Sequence, residues 1–108
     1  MSKATVKIKV HEAKGLTPTN FSGTTDAYCQ ITVFHGGLSS SDDTAVLPDT
    51  LDPKWSHEAV FPDVEDVERG ELVIVDSSTE AFLGKVKLKS SMFKGDKKGK
   101  KEWHTLEK

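Results

Sequence analysis

Apolar and polar residues alternate along several short stretches of this chain, and the alternation predicts β-strands. Residues 6–10 alternate valine and isoleucine with lysine, and residues 28–34 alternate Cys, Ile and Val with polar or aromatic residues. Each pattern predicts a strand with one buried and one solvated face. Residues 72–75 are apolar on both faces, which predicts a central strand. Val86 and Leu88 stand between lysines and predict an amphipathic strand near a sheet edge.

Shorter segments complete the set of strands. Residues 59–61 predict a strand that ends at Pro62, residues 44–47 predict a short strand, and residues 103–106 predict a closing strand. Residues 35–43 are rich in glycine, serine and aspartate and predict a polar turn. Because no segment forms a convincing helix, the fold class is predicted to be all-β, an antiparallel β-sandwich of roughly seven to eight strands.

Length and composition favour a single domain over residues 1–108. No apolar run approaches the roughly 20 residues that a membrane-spanning helix needs, and the N-terminus lacks the pattern of a signal peptide. The single cysteine, Cys29, excludes an internal disulfide and is expected to lie in the core as a small apolar residue. We therefore expect a cytoplasmic protein.

Positive and negative residues are separated along the chain, although the net charge is only −2. Lysines dominate residues 1–16 and 85–108, whereas acidic residues dominate residues 17–84. Two interpretations stay open at this point. The surface is either ordinary solvated protein, or it carries one acidic and one basic region with different partners.

Aspartates stand where two of the predicted strands meet their loops. Asp26 precedes the strand at 28–34, and Asp76 follows the strand at 72–75. If these strands lie side by side, both carboxylates converge at one end of the domain. Converging carboxylates beside oxygen-rich loops suit a hard cation such as Ca²⁺. The alternative is that both aspartates cap turns and accept hydrogen bonds from loop amides.

Four segments carry a family resemblance. Residues 6–16 (Val-x-Ile-x-Val-x-Glu-Ala-Lys-Gly-Leu) look like a first strand and its closing turn, and residues 26–28 (Asp-Ala-Tyr) are similar to an Asp-Pro-Tyr motif. Residues 50–55 (Thr-Leu-Asp-Pro-Lys-Trp) match Thr-Leu-Asn-Pro-x-Trp, and residues 103–106 match Trp-x-x-Leu. In this order they resemble the C2 domain in its permuted type II topology. That domain is the calcium- and lipid-binding module of conventional protein kinases C and synaptotagmins.

The resemblance implies a calcium site at the loop tips, with departures that weaken it. Calcium-binding members hold their ions with five aspartates on two loops, whereas three of the matching positions here carry Asn20, Ser78 and Ala81, and the second loop is short. Glu80 is expected to substitute for a lost carboxylate. Since calcium takes roughly six to eight oxygens, we expect at most one ion, with a Kd of about 0.1–1 mM at best. The implied ligands are Asn20, Asp26, Asp76, Ser78 and Glu80, with the backbone carbonyls of Thr19 and Ser77.

The resemblance also implies docking on anionic phospholipid. An aromatic residue in the first loop would insert among the headgroups, unless it is a buried anchor of that loop. Lysines near the end of the chain would supply a basic surface, each worth about 1 kcal/mol beside an anionic bilayer, unless they only solubilise the protein. The implied lipid-binding residues are Phe21, Lys85, Lys87, Lys89, Lys97, Lys98, Lys100 and Lys101.

Other classes of function lack their motifs. The four histidines show no metal-ligand spacing, and neither a glycine-rich phosphate loop nor a nucleophile elbow is present, so we do not expect an enzyme. The lysines are not interleaved with aromatic residues that could stack bases, so we do not expect nucleic-acid binding.

We therefore expect a non-catalytic C2 module that recruits itself or an attached domain to anionic membrane, with calcium dependence weakened or lost. The competing hypothesis is a calcium-independent protein-interaction module that uses the acidic loops or an open strand edge. In the permuted topology an eighth strand would follow residues 103–106. Either the domain is part of a longer protein that carries this strand, or the position of the strand is left open or filled by another chain.

Overall fold

The computed structural model describes residues 4–90 and 103–107, and these residues form two antiparallel sheets around one core. One sheet has two strands, in the order β1-β4, and the other has four, in the order β3-β2-β5-β6. The prediction of an all-β antiparallel sandwich is confirmed, with six strands in the described residues rather than seven to eight. The strands are β1 (Ala4–Glu12), β2 (Ala27–His35), β3 (Leu38–Asp43), β4 (Lys54–Val64), β5 (Val67–Asp76) and β6 (Phe82–Lys89).

The core lies between the sheets, on the faces that the alternation predicts. Ile31 and Val33 of β2 are completely buried, and Ile8 of β1 and Phe61 of β4 meet them from the smaller sheet. Cys29 is also buried, as expected, and this burial raises the pKa of its thiol to about 12. A thiol with so high a pKa is inert as a nucleophile.

β3 corrects the prediction of a polar turn over residues 35–43. His35 pairs directly with Leu38, so Gly36 and Gly37 alone form the connection between β2 and β3. Both glycines adopt positive φ angles, 51° and 77°, as a two-residue hairpin of the favoured hand requires. The strand escaped the sequence pattern because it lies at an edge of its sheet, where mostly polar residues suffice.

Two other strand predictions need correction. β4 continues through Pro62 to Val64. Within the part of the chain that the structure describes, this strand pairs with β1 alone, and Asp63, at a φ of 57°, accommodates a shift in register between Phe61 and Val64. The segments 44–47 and 103–106 are not strands. The first ends in one isolated bridge from Leu47 to Ala27, and the second is followed by one from Glu107 to Lys85.

A polar contact between side chains joins the edges of the two sheets on one side of the sandwich. His57 of β4 and Asp42 of β3 approach to 2.8 Å between Nε2 and Oδ2. β4 also contacts β2. β4 therefore lies over the β3-β2 half of the larger sheet.

The closing segment packs on β6 where that strand carries a glycine. A Cβ atom built on Gly84 would lie 2.8 Å from Cβ and 3.1 Å from Cδ1 of Leu106. Gly84 also has a φ of 152°, a conformation that L-residues rarely adopt. The glycine thus permits both the irregular pairing between β5 and β6 and the close approach of Leu106.

Replacing Gly84 by alanine is expected to lower the free energy of unfolding by about 2–4 kcal/mol, because overpacking and backbone strain act together. Gly37→Ala is the matched control: Gly37 also has positive φ, but an added Cβ would meet nothing within 4 Å. That variant should lose only about 1–2 kcal/mol. Urea denaturation of both variants measures the difference, and equal losses would contradict the contact with Leu106.

Candidate functional site

The start of β2 and the end of β5 meet at one end of the sandwich. Ala27 pairs with Asp76 in the antiparallel register, so the loop before β2 and the loop after β5 lie side by side. The amide of Asp26 donates to Oδ1 of Asp76 at 2.9 Å, and the amide of Ser77 donates to the carbonyl of Asp26 at 2.9 Å. The predicted convergence of Asp26 and Asp76 is therefore what the structure shows.

Asp76 is buried and is the hydrogen-bond acceptor that holds the two loops together. Its side chain accepts from Thr25 Oγ1 at 3.1 Å and from the Asp26 amide on Oδ1. On Oδ2 it accepts from the amide of Thr79 at 3.0 Å and from the hydroxyl of Thr79 at 2.6 Å. Each carboxylate oxygen thus accepts two hydrogen bonds, although the residue is only 1% exposed.

These bonds decide the protonation state of Asp76. Burial raises the pKa of its carboxyl, but the hydrogen bonds from Thr79, Asp26 and Thr25 stabilise the carboxylate more. The net effect lowers the pKa from 3.8 to about 2. Asp76 is therefore an anion at every physiological pH, with its charge turned toward loop amides and hydroxyls.

Asp26 and Asn20 likewise act as internal acceptors. Asp26 accepts from the Asp49 amide on Oδ1 at 2.8 Å and from the Ser78 hydroxyl on Oδ2 at 2.6 Å. Oδ1 of Asn20 accepts from the amides of Ser22 and Thr24, at 3.1 and 3.0 Å, and closes the loop on itself. The oxygens that the family resemblance assigns to calcium thus fix the shapes of their own loops.

The other implied ligands border this cluster without completing a cation site. Glu80 is exposed at a φ of 60°, and its carboxylate hydrogen-bonds none of the described residues. Thr19 donates its hydroxyl to Thr25 Oγ1 at 2.8 Å, which extends the chain of hydroxyls that ends at Asp76. Within residues 4–90 and 103–107, no group of three or more His, Cys, Asp or Glu side chains is arranged to hold a metal ion.

A third loop joins the site, and sequence reasoning missed its acidic member. Asp49 follows the bridge at Leu47, adopts a φ of 53°, and lies against Asp26 through its amide. Its carboxylate is also 3.4 Å from the hydroxyl of Thr24. Its position just before the Thr-Leu-Asp-Pro motif could have identified it, because that turn lies beside β2.

The predicted lysines of β6 lie on the outer face of the four-stranded sheet. Lys87 and Lys89 are exposed, while Lys85 is half-buried, and they alternate with the buried Val86 and Leu88. Cross-strand neighbours on the same face are Arg69, opposite Lys89, and Glu71, opposite Lys87. We call Lys85, Lys87, Lys89 and Arg69 the basic face; none of them forms an ion pair within 4.0 Å with another described residue.

Two aromatic residues near the loop tips are exposed. Phe21 is fully exposed, with a relative accessibility of 112%, so the alternative of a buried loop anchor is wrong. Phe82, which is not among the predicted lipid-binding residues, is 51% exposed at the first position of β6. The predicted lipid-binding lysines Lys97, Lys98, Lys100 and Lys101 lie outside the described residues.

Among the described residues no helix is long and apolar enough to cross a membrane.

The fold and the paired loops together define a class of protein. A sequence profile of the C2 domain family matches residues 4–106, nearly the whole chain. The protein therefore belongs to the C2 domain family, whose members commonly bind phospholipid and calcium and are generally non-catalytic. Comparison with curated proteins finds no matching sequence.

Solved C2 domains share this architecture. The C2 domain A of RIM2 has a TM-score of 0.76 at 19% identity, over 95% of this chain and 85% of that one. The corresponding RIM domain from Drosophila also has a TM-score of 0.76 at 19% identity, over 97% and 88% of the two chains. A calcium-bound structure of the C2 domains A and B of extended-synaptotagmin 2 reaches 0.69 at 20% identity, with coverage of 85% and 36%. At these identities the likeness shows the fold alone.

The lowered pKa of Asp76 predicts how stability depends on pH. A carboxyl whose pKa is lower in the folded state contributes stability above its unfolded pKa, and that contribution is lost as the pH falls through the folded pKa. Asp76→Asn should therefore lower the free energy of unfolding by about 1–3 kcal/mol near neutral pH, since Thr79 loses a hydrogen-bond acceptor. The difference in the free energy of unfolding between this variant and wild type should become smaller as the pH falls from about 5 to 2.

Guanidinium denaturation at a series of pH values measures this difference. The matched control is Asp63→Asn, because Asp63 is exposed and its carboxylate hydrogen-bonds none of the described residues. The control should change stability little at any pH. If Asp76→Asn lowers the free energy of unfolding by the same amount at every pH down to 2, the stabilisation does not depend on the ionisation of Asp76.

Proposed function

We propose that this protein is a non-catalytic membrane-targeting module that binds anionic phospholipid through the basic face, with calcium as a weak contributor at the loop tips. The observation that carries the proposal is the row of cations along β6 and Arg69, exposed or half-buried and without ion-pair partners among the described residues. Docked on this face, the domain would lie with the four-stranded sheet against the headgroups.

The magnitude of the attraction sets the expected affinity. Each cation beside an anionic surface contributes about 1 kcal/mol, so the basic face supplies about 4 kcal/mol, which corresponds to a Kd near 1 mM. Glu71 lies between these cations and offsets part of that energy. The proposal therefore includes Lys97, Lys98, Lys100 and Lys101, whose added charge would bring binding into a measurable range.

Loop insertion would add an apolar contribution. Phe21 projects fully exposed from the loop before β2, and burying such a side chain in the acyl boundary is worth about 2 kcal/mol. The carboxylates beside this loop oppose its approach to an anionic surface, because Asp26, Asp76 and Asp49 bring negative charge to the same end. Calcium bound among them would reverse that repulsion.

Calcium binding is expected to be weak because the ligands are already engaged. An ion coordinated by Asp26 and Asp76 would have to displace hydrogen bonds from Ser78, Thr79 and the Asp49 amide. We propose that a single ion binds only after these loops rearrange, because the three carboxylates are not grouped for a metal ion as they stand. Asp26, Asp76 and Glu80 would then hold it, with Asn20, Ser78 and the carbonyls of Thr19 and Ser77 as further oxygen donors. Its Kd would be no better than about 0.1–1 mM.

Vesicle cosedimentation tests the basic face. Vesicles rich in phosphatidylserine should pellet the protein at low salt in the presence of a chelator, and less so as salt screens the lysines. Lys87→Glu with Lys89→Glu should abolish most of this binding, because both charges reverse at the membrane contact.

The matched control is Lys7→Glu with Lys9→Glu, two exposed lysines on the outer face of β1 in the other sheet. This control should retain most of the binding. Pelleting that requires calcium and ignores the charges at 87 and 89 would overturn the proposed mode. Pelleting under no condition would favour the protein-interaction module.

Calcium titration followed by thermal unfolding tests the loop site separately. With a Kd of about 1 mM, about 10 mM Ca²⁺ stabilises the folded state by about 1.4 kcal/mol, or a rise in Tm of about 6–10 °C. Asp26→Asn should remove most of that rise, and Mg²⁺ at equal concentration controls for ionic strength. A Tm that does not move with calcium would exclude the ion while leaving the basic face untouched.

A further inference from the structure

Three consecutive serines on β3 differ in what their hydroxyl groups contact. The Ser40 hydroxyl forms a hydrogen bond with Nε2 of His35 at 2.9 Å, and the Ser41 hydroxyl forms one with the Thr32 hydroxyl at 3.0 Å. The Ser39 hydroxyl forms no hydrogen bond with another described residue, and Ser39 is exposed. Of the three serines, Ser39 is therefore the one whose oxygen is available for modification.

The residues after Ser39 match the specificity of one class of enzyme. Asp42 stands three positions after Ser39, and Asp43 stands four positions after it. Protein kinases choose their substrates partly by the charges around the serine, and acidophilic serine kinases select a carboxylate three positions after it. Ser40 also has a carboxylate at that distance, but its hydroxyl is engaged with His35. Sequence and contacts together favour Ser39.

Ser39 lies on the outer face of the four-stranded sheet, in line with two cations of the basic face. It pairs directly with Phe34 of β2, Phe34 pairs with Arg69 of β5, and Arg69 pairs with Lys89 of β6. Residues that are directly opposite each other on neighbouring strands share one face of the sheet. The Cα atoms of Ser39 and Arg69 are therefore about 10 Å apart, two strand spacings across the sheet.

The side chain of Arg69 covers part of that distance. Its Cζ atom lies 4.0 Å from the centroid of the Phe34 ring, so the guanidinium stacks on the residue between Arg69 and Ser39. Arg69 forms no ion pair within 4.0 Å with another described residue. A phosphate on Ser39 would carry a charge of about −1.5 to −2 and could accept two hydrogen bonds from this guanidinium. The residue of β5 in line with Ser41 is instead Glu71, which would repel a phosphate.

A kinase has to bind this segment as an extended chain, and β3 can leave the sheet at low cost. None of its six side chains is buried. The contact of Asp42 with His57 is partly exposed, so it contributes little to stability. Segments with few buried contacts open locally at a free energy well below that of global unfolding. Local opening therefore presents Ser39 together with the aspartates that follow it.

We propose that Ser39 is a phosphorylation site for an acidophilic serine kinase, and that Arg69 binds the resulting phosphate. In the transfer, Oγ of Ser39 attacks the γ-phosphorus of ATP, and the bond from that phosphorus to the β,γ-bridging oxygen breaks. ADP leaves, and the hydroxyl proton passes to a carboxylate of the kinase. Because the phosphate neutralises Arg69 and adds negative charge to this face of the sheet, it weakens the membrane contact of the basic face. That last consequence rests on the proposed function, whereas the site and its contact with Arg69 do not.

Peptide mapping by mass spectrometry, after incubation of the full chain with ATP and a kinase of this specificity, tests the site. Phosphate should appear on Ser39, and Ser39→Ala should lose it. Asp42→Asn should lose most of the incorporation, whereas the matched variant Asp43→Asn should retain most of it, because it keeps the carboxylate three positions after Ser39. Phosphate on Ser40 or Ser41 instead, or no incorporation at all, would overturn the proposal.

Phosphorus-31 NMR of the phosphorylated protein tests the partner of the phosphate. Contact with Arg69 should lower the second pKa of the phosphate below its ordinary value of about 6, and Arg69→Gln should restore that value. The matched variant Lys87→Gln, in line with Ser41, should leave the pKa of the phosphate low. A phosphate with an ordinary pKa in the wild-type protein, or one that does not respond to Arg69→Gln, would overturn the assignment of Arg69.

Vesicle cosedimentation tests the consequence for the membrane. The phosphorylated protein should bind phosphatidylserine-rich vesicles at least about tenfold more weakly than the unmodified protein. Ser39→Ala, treated in the same way with kinase and ATP, should bind like the unmodified protein. Equal binding by the phosphorylated and unmodified proteins would overturn the effect on the basic face. Binding by neither form would contradict the proposed function, while the mapping and the NMR titration still decide the site and its partner.

Discussion

The hydrogen bonds to the buried carboxylate of Asp76 are the interaction on which this end of the domain depends. They tie the last residue of β5 to the residues that precede β2 and to the loop that follows β5. Because the anion is satisfied by amides and hydroxyls, the loops keep their shape without a cation to hold them. A buried carboxylate without these donors would destabilise the fold, since the cost of desolvating a charge is large.

The sequence pattern was sufficient for the strands that build the core, and insufficient where a strand has little to bury. β2 and β5 follow from alternation and from a wholly apolar run, since both lie inside the four-stranded sheet. β3 buries almost nothing at its edge, so its residues carry no alternation, and only the pair Gly36-Gly37 marks the hairpin. Pro62 is a poor stop signal in β4 for a related reason: a strand with one free edge can dispense with an amide.

The candidate site could also be predicted only in part. The meeting of Asp26 and Asp76 could be predicted because each stands at the loop end of a strand, and neighbouring antiparallel strands bring such ends together. The hydrogen bonds that they accept could not be predicted, because Thr25, Ser78 and Thr79 reach them only through the folded loops. These hydrogen bonds change the chemistry expected of the aspartates. A calcium ion could coordinate their carboxylates only by displacing hydrogen bonds that the loops already make. Asp49 was missed because it lies in a loop outside the strands, so no strand pairing predicts its contact with Asp26.

The arrangement of charge implies that the proposed calcium site and the basic face would meet a membrane in different orientations of the domain. Lys89 pairs with Arg69, which lies seven residues along β5 from Asp76, so the far end of the basic face is roughly 23 Å from the acidic loops. A membrane lying flat on the four-stranded sheet would meet the lysines while the carboxylates stay at its margin, more than a Debye length from most of the bound surface. A membrane that meets the loop tips would instead encounter the carboxylates first. Only the second orientation would need an ion to reverse the negative potential at the loops, so the proposed membrane binding through the basic face would not depend on the proposed calcium site.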